Sequence, residues 1–349
     1  MPIRALWCRL LLVLSVTGCG GLPSYNAVLP PLPPASLLAD EVFTMPDGAR
    51  LPVRTWPVAG PPRAVVLALH GFNDSRDAWA LPAPVFAAAG ITLYAPDQRG
   101  FGAAPLRGLW AGAPVLASDA AAMLRTLRGR HPGVPLFAMG ESMGGAVLMT
   151  LASTGEAPPV DGWILLAPAV WGRTQMGIFL SSGLWLVSNL APGLSVTGAE
   201  VRIRVTPSDN RDALLALVRN PLTIRRTRFD TLRGLTDLMD LAQEAASRLP
   251  DRTLALYGER DTLVPAKATR RAWDAMPSGV RRALYSDGYH LLMRDHGRAA
   301  VIGDVIAWMA ASGAVLPSGA DTAAGVWREA ETEGLARPAA QAMSALRDP

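Results

Sequence analysis

Val134-Pro135-Leu136-Phe137-Ala138-Met139 is a short apolar run, and Gly140-Glu141-Ser142-Met143-Gly144 follows it directly. Next comes Gly145-Ala146-Val147-Leu148-Met149-Thr150-Leu151-Ala152, whose small and apolar residues read as a helix. Strand, G-x-S-x-G, helix is the setting of a nucleophile elbow, in which a serine sits on a tight turn above a sheet. The two glycines let the chain turn sharply and the helix pack close, so Ser142 is the candidate nucleophile. The five-residue pattern alone is weak. Its weight comes from the rest of the chain.

Residues 64–69 (AVVLAL) form a continuous apolar run, expected to be a strand buried on both faces. Further strands are expected at 91–95, 162–167, 253–257 and 283–285, with helices at 78–89, 115–130 and 298–311. Residues 42–45 and 51–56 flank the turn Pro46-Asp47-Gly48-Ala49 and read as an antiparallel hairpin. Alternation at this spacing predicts an α/β fold with a mostly parallel central sheet and helices on both faces. Residues 37–169 and 250–313 would build that core.

Between those halves, residues 170–249 show no strand-helix alternation and read as an inserted, mainly helical cap. Phe229, Leu232, Leu235, Leu238 and Ala242 recur at helical spacing, which predicts one amphipathic helix there. Residues 176–187 are unusually apolar, fitting either the cap's own packing or the binding of an acyl chain. Residues 314–349 are rich in Ala, Gly and Pro and poor in large apolar side chains, so a loosely held tail is expected.

Both cysteines, Cys8 and Cys19, lie near the start of the sequence. Arg4 and Arg9 flank a short charged region, and Leu10-Leu11-Leu12-Val13-Leu14 follows, too short to span a bilayer. Residues 1–18 thus read as a secretory signal. Val16-Thr17-Gly18-Cys19 resembles the lipobox of bacterial lipoproteins, which implies lipidation of Cys19. Removal of residues 1–18 would leave Cys19 as the one remaining cysteine, on a Gly/Pro-rich tether over 19–36. A membrane-anchored place in the bacterial cell envelope is the expectation, since several acyl chains hold a protein stably where one is marginal. The formal charge of +4 comes from dispersed arginines. The densest cluster, Arg225, Arg226 and Arg228, reads as a solvated helix face. No zinc spacing and no aromatic-interleaved basic stripe is present, so nucleic acid is not an expected partner.

A serine hydroxyl becomes a nucleophile when a base takes its proton and a third group orients that base. The chain has four histidines. His290 follows the last expected strand, at the carboxyl edge where sites in such sheets gather, and is the candidate base. His70 follows the strand at 64–69 and reads as architectural; His131 precedes Pro132 in a loop, and His296 could cap the last helix. Asp261 follows the strand at 253–257 and is the candidate orienting acid, with Glu259 and Asp287 as competitors. The order Ser142, Asp261, His290 is the order expected of this fold. Oxyanion-hole donors are expected from the backbone N–H groups of Met143 and Phe72, with Gly71 allowing close approach.

These residues carry a resemblance. His70-Gly71-Phe72, Asp97-Gln98-Arg99-Gly100-Phe101-Gly102, Gly140 to Gly145, Gly258 to Pro265 and Gly288-Tyr289-His290 together resemble the α/β-hydrolase superfamily. The nearest group is that of monoacylglycerol lipases and lysophospholipases. The resemblance implies a serine carboxylic-ester hydrolase, with no cofactor or metal expected, and the apolar segment 176–187 points to a fatty-acyl ester such as a monoacylglycerol or lysophospholipid. It also implies that residues 97–102 shape the mouth of the site. A peptidase or acyltransferase could use the same triad, and a non-catalytic envelope lipoprotein on this scaffold is a further alternative.

Overall fold

The computed structural model describes residues 41–201 and 205–332. The chain enters as the hairpin β1 (Glu41–Thr44) and β2 (Arg50–Trp56), then β3 (Ala64–Leu69), helix α1 (Ala83–Ala88) and β4 (Ile91–Pro96). Helix α2 (Ala113–Arg130), β5 (Leu136–Glu141), helix α3 (Met143–Ala152) and β6 (Gly162–Leu166) follow. The cap holds helix α4 (Ile178–Leu190), short strand β7 (Ser195–Val196), helix α5 (Arg211–Arg219), short strand β8 (Thr227–Arg228) and helix α6 (Phe229–Ala245). The core resumes with β9 (Thr253–Gly258), α7 (Ala266–Ala275), β10 (Arg281–Tyr285), α8 (Arg298–Ala310) and α9 (Ala320–Thr332).

Eight strands form one sheet in the order β1-β2-β4-β3-β5-β6-β9-β10. The hairpin and the β2–β4 pair are antiparallel; every other pairing is parallel. The central strands are apolar throughout because both faces are covered. Val65, Leu67 and Leu69 of β3 pack into one layer with side chains from α2, α3, α6, α7 and α9. Ala64, Val66 and Ala68 point the other way, toward Phe86 of α1 and Trp308 of α8. Period-two alternation thus feeds two cores from one uninterrupted hydrophobic run.

Register fixes where the loops emerge. Leu69 pairs with Gly140, Glu141 with Leu166, and Tyr285 with Gly258, so β3, β5, β6, β9 and β10 all end at one edge. The segments that follow β3, β5, β9 and β10 carry Phe72, Ser142, Asp261 and His290 respectively.

Three sequence expectations are corrected. Part of the expected tail is a docked helix: α9 buries Ala323, Ala324 and Trp327 in the core. The Trp327 ring lies 5.4 Å from Trp273 and 5.8 Å from Tyr257, and Arg281 pairs with Asp321 at 2.8 Å. One large aromatic among small residues suffices to seat it. Residues 333–349 lie outside the described residues.

The amphipathic helix exists as α6, but its core stripe is rotated from the expected one. Thr231, Gly234, Leu238, Ala242 and Ala245 are buried, while Leu232 and Leu235 are half-buried. Small residues line the buried stripe because α6 packs closely; a Cβ on Gly234 would collide with the Trp110 ring.

The arginine cluster is on no helix face. Arg226 pairs with Glu200 at 3.2 Å, Arg228 caps the start of α6 beside Asp230, and Arg225 is exposed. The signal peptide, Cys19 and the tether lie outside the described residues. No helix among the described residues is long and apolar enough to cross a membrane.

Candidate active site

Ser142 stands between β5 and α3 with φ 52° and ψ −113°, a strained conformation for a residue with a Cβ. The turn around it works only with glycines. A Cβ on Gly140 would strike the backbone of Gly144, and one on Gly144 would strike the Leu69 carbonyl. Helix α3 therefore lies directly against the end of β3, and the serine is thrust out above the sheet edge. The strain is held by backbone bonds: Ser142 N–H donates to the Leu166 carbonyl at 2.9 Å, and Ala146 and Ala169 N–H groups donate to the Ser142 carbonyl, each at 3.0 Å.

His290 and Asp261 are brought together. His290 Nδ1 donates to Asp261 Oδ2 at 2.7 Å, and both residues are buried. The other carboxylate oxygen of Asp261 accepts from Leu263 N–H at 2.7 Å and Val264 N–H at 3.0 Å. Those two amides lock the carboxylate plane, so the imidazole must carry its proton on Nδ1 and present a lone pair on Nε2. Burial alone would lower the pKa of His290. The charge and hydrogen bond of Asp261, helped by Glu141, overcome this and raise it above the ordinary histidine value against the opposition of Arg294.

The competing acids are elsewhere. Asp287 is exposed and pairs with Arg260 at 2.5 Å, and Glu259 makes no bond to His290. Gly258 makes room for the histidine loop, because a Cβ there would strike the Gly288 and Tyr289 carbonyls. Ser142 Oγ and His290 Nε2 form no hydrogen bond among the described residues; such bonds are often long until substrate is bound.

The loop after β3 turns beside the serine. A Cβ on Gly71 would lie 3.4 Å from Ser142 Cβ, and Asp74 N–H closes the turn onto the Gly71 carbonyl at 3.3 Å. Asn73 takes φ 61° within that turn. Met143 is the first residue of α3, directly after Ser142, so its N–H has no partner within the helix.

His70 braces this loop. Its Nε2 accepts Gln98 N–H at 3.0 Å, which places the proton on Nδ1, facing the Gly71 carbonyl at 2.8 Å. Burial lowers its pKa and keeps it neutral. Residues 97–102 act with it. Asp97 pairs with Arg76 and also accepts the Arg76 and Ala103 N–H groups, while Phe101 packs 5.5 Å from Phe72. Through these contacts the segment braces the loop that follows β3. Of the other histidines, His131 pairs with the Tyr94 hydroxyl at 2.9 Å, and exposed His296 anchors its N–H on Asp209 at 2.8 Å; Gly297 caps α8 instead.

The cap is tied to both loops. Ile224 N–H donates to the Asn73 carbonyl at 2.9 Å, and Leu291 N–H donates to the Pro207 carbonyl at 2.9 Å. Helix α4 does not bury its apolar residues in a cap core: Ile178 is 73% exposed, Phe179 93%, Trp185 59% and Leu190 62%. Among the described residues no group of three or more His, Cys, Asp or Glu side chains is placed to hold a metal ion.

Sequence reasoning missed one group. Arg294 reaches Asp74 and Glu141 from four residues past His290. Its only sequence signal is an arginine just after an apolar loop, which specifies no partner.

Residues 60–297 match the serine aminopeptidase S33 family (Hydrolase_4). The chain is 26% identical over 296 residues to a monoacylglycerol lipase of Mycolicibacterium smegmatis, covering 79% of this chain and 98% of that protein. It is 25% identical over 256 residues to the monoglyceride lipase of Homo sapiens, covering 71% and 82%. Among solved structures, it superposes on Paleococcus ferrophilus monoacylglycerol lipase with TM-score 0.62 at 21% identity, covering 74% and 98%. A soluble variant of Saccharomyces cerevisiae monoglyceride lipase, solved with a substrate analogue, gives TM-score 0.65 at 19% identity, covering 82% and 98%. These likenesses establish the α/β-hydrolase fold. The chain belongs to the serine aminopeptidase S33 family and is a serine hydrolase, with ester hydrolases among its relatives.

Proposed function

We propose that this member of the serine aminopeptidase S33 family hydrolyses acyl esters of lipids, monoacylglycerols or lysophospholipids, through Ser142, His290 and Asp261. The observation that carries the reading is the buried His290, whose Nδ1 is fixed by Asp261 at 2.7 Å, at the same sheet edge as a serine on a strained elbow. Ser142 Oγ attacks the ester carbonyl as His290 Nε2 takes its proton, and a tetrahedral intermediate forms. Its oxyanion is held by Phe72 and Met143 N–H; each such donor is typically worth about 3 kcal/mol in the transition state. The histidine then gives its proton to the leaving alcohol, which departs and leaves an acyl-enzyme. Water, deprotonated by the same imidazole, releases the fatty acid and restores the serine. Asp261 holds the ring and stabilises the imidazolium throughout.

Two observations support a lipid substrate. Relatives of this chain are named monoacylglycerol lipases. The exposed side chains of Ile178, Phe179, Trp185 and Leu190 give the cap an oily rim of the kind that meets lipid aggregates. The reading also places the protein on a membrane of the bacterial envelope, held by lipidated Cys19 after loss of residues 1–18.

A panel of monoacylglycerols, lysophospholipids, triacylglycerols and aminoacyl anilides, assayed with and without an alcohol acceptor, tests the substrate. Turnover fastest on single-chain lipid esters is expected. Preference for the anilides would make the protein a peptidase, and preferential acyl transfer to the alcohol an acyltransferase. Cys19→Ser should leave the esterase active and release it from the membrane fraction; retention there would refute the anchor.

A further inference from the structure

Beneath the proposed triad, one guanidinium joins three loops. Arg294 Nη1 donates to Asp74 Oδ2 at 2.7 Å, and Nη2 donates to Glu141 Oε1. All three side chains are buried, with 5%, 5% and 2% exposure for Arg294, Asp74 and Glu141. Asp74 closes the Phe72 turn, Glu141 immediately precedes Ser142 at the end of β5, and Arg294 lies four residues past His290. We propose that Arg294 is a positioning residue, fixing the oxyanion turn and the serine-bearing strand end against the histidine loop and holding the Glu141 carboxylate next to the nucleophile. This inference rests on the triad reading above.

The geometry suits an arginine and no other side chain. Its planar fork offers two donors in fixed directions, so each carboxylate receives its own charge-assisted bond. The backbone around it is pinned too: Arg294 N–H donates to the Leu291 carbonyl at 2.7 Å, and its carbonyl accepts from Asn210 Nδ2 at 2.8 Å. Movement of any one loop would strain the other two. A Cβ on Gly71 would lie 3.6 Å from Glu141 Oε1, so this carboxylate also underlies the oxyanion turn.

Two carboxylates face one cation here, which is an expensive arrangement to bury for stability alone. The charged groups acting on His290 are Asp261 and Glu141, which favour the imidazolium, and Arg294, which opposes it. Glu141 is itself faced by Arg294, Asp74 and His290. With two carboxylates to one guanidinium, the cluster carries a net negative charge, which favours the imidazolium that forms on His290 during the proposed reaction.

Three substitutions test this, each checked for folding by thermal melting, with Ser142→Ala as control. Loss of activity in the control establishes the triad independently, so a failure of the clamp and a failure of the triad are told apart. Arg294→Lys keeps the charge but loses the planar fork that sends separate nitrogens to the two carboxylates, and kcat should fall on the order of 10²-fold with KM changed far less. Glu141→Gln keeps the shape and an acceptor for Arg294 but removes the charge. It should move the acidic limb of the kcat/KM profile down by about half a pH unit or more. Asp74→Asn should lower kcat and leave that limb in place, which serves if Arg294→Lys does not fold. A wild-type kcat in folded Arg294→Lys, or an unmoved limb in Glu141→Gln, overturns the proposal.

Discussion

Asp261 receives three hydrogen bonds on its two carboxylate oxygens, and the one to Oδ2, at 2.7 Å, comes from His290 Nδ1. The acid is thus fully committed to holding one ring in one orientation. Asp261→Asn would keep the size but offer an amide where a carboxylate is needed, favouring the wrong imidazole tautomer. A fall in kcat of about 10⁴-fold with the fold intact is expected. Steady-state kinetics on a p-nitrophenyl acyl ester, beside a circular dichroism melt, measures it.

The raised pKa of His290 sets the pH dependence. The ring must be neutral to accept the Ser142 proton, so activity is lost as pH falls through that pKa. The acidic limb of kcat/KM should lie above pH 6.5, the ordinary histidine value. A limb at or below that value would mean that burial outweighs the carboxylates. A profile on a substrate whose leaving group does not titrate between pH 5 and 9 reads this directly.

The elbow glycines make a stability prediction. Gly144→Ala would push a Cβ into the Leu69 backbone and should destabilise by about 1–3 kcal/mol or more. Gly183, on the exposed side of α4, has nothing within 4 Å of such a Cβ. Gly183→Ala should therefore stabilise by about 0.5–1 kcal/mol. Urea unfolding of the two variants separates steric collision from helix propensity.

Helix α9 is expected to be part of the folding unit. Trp327 is 3% exposed, and the Arg270 guanidinium lies 3.9 Å from its ring centroid. Trp327→Ala should cost about 3–5 kcal/mol. A melting temperature equal to that of the parent would mean that α9 contributes nothing to the sheet's cover.

The parts of this protein that sequence made legible are those with a local period. Residues 64–69 read as a doubly covered strand because all six are apolar, and the strand spans Ala64–Leu69. The serine elbow and the strand-end placement of Asp261 and His290 followed from the same pattern. What stayed hidden depends on long-range geometry. Arg294 meets partners 153 and 220 residues away, and no local signal links them. Helix α9 escaped notice because Trp327 is nearly its sole large buried side chain. The buried stripe of α6 was misread because Leu232 and Leu235 outweigh Thr231 and Gly234 in any hydrophobic count, yet close packing selects the small residues. The apolar run of α4 fitted either the cap's own packing or an acyl chain, and its exposure speaks against the first.

The central claim is that Ser142 is the nucleophile of an acyl-ester hydrolase. Ser142→Ala, assayed on a medium-chain p-nitrophenyl ester and on a monoacylglycerol, tests it most directly. The account predicts a correctly folded protein with turnover of both substrates reduced by about 10⁴-fold or more, leaving only the residual rate owed to the oxyanion hole and binding. Turnover in Ser142→Ala equal to that of the parent would contradict it.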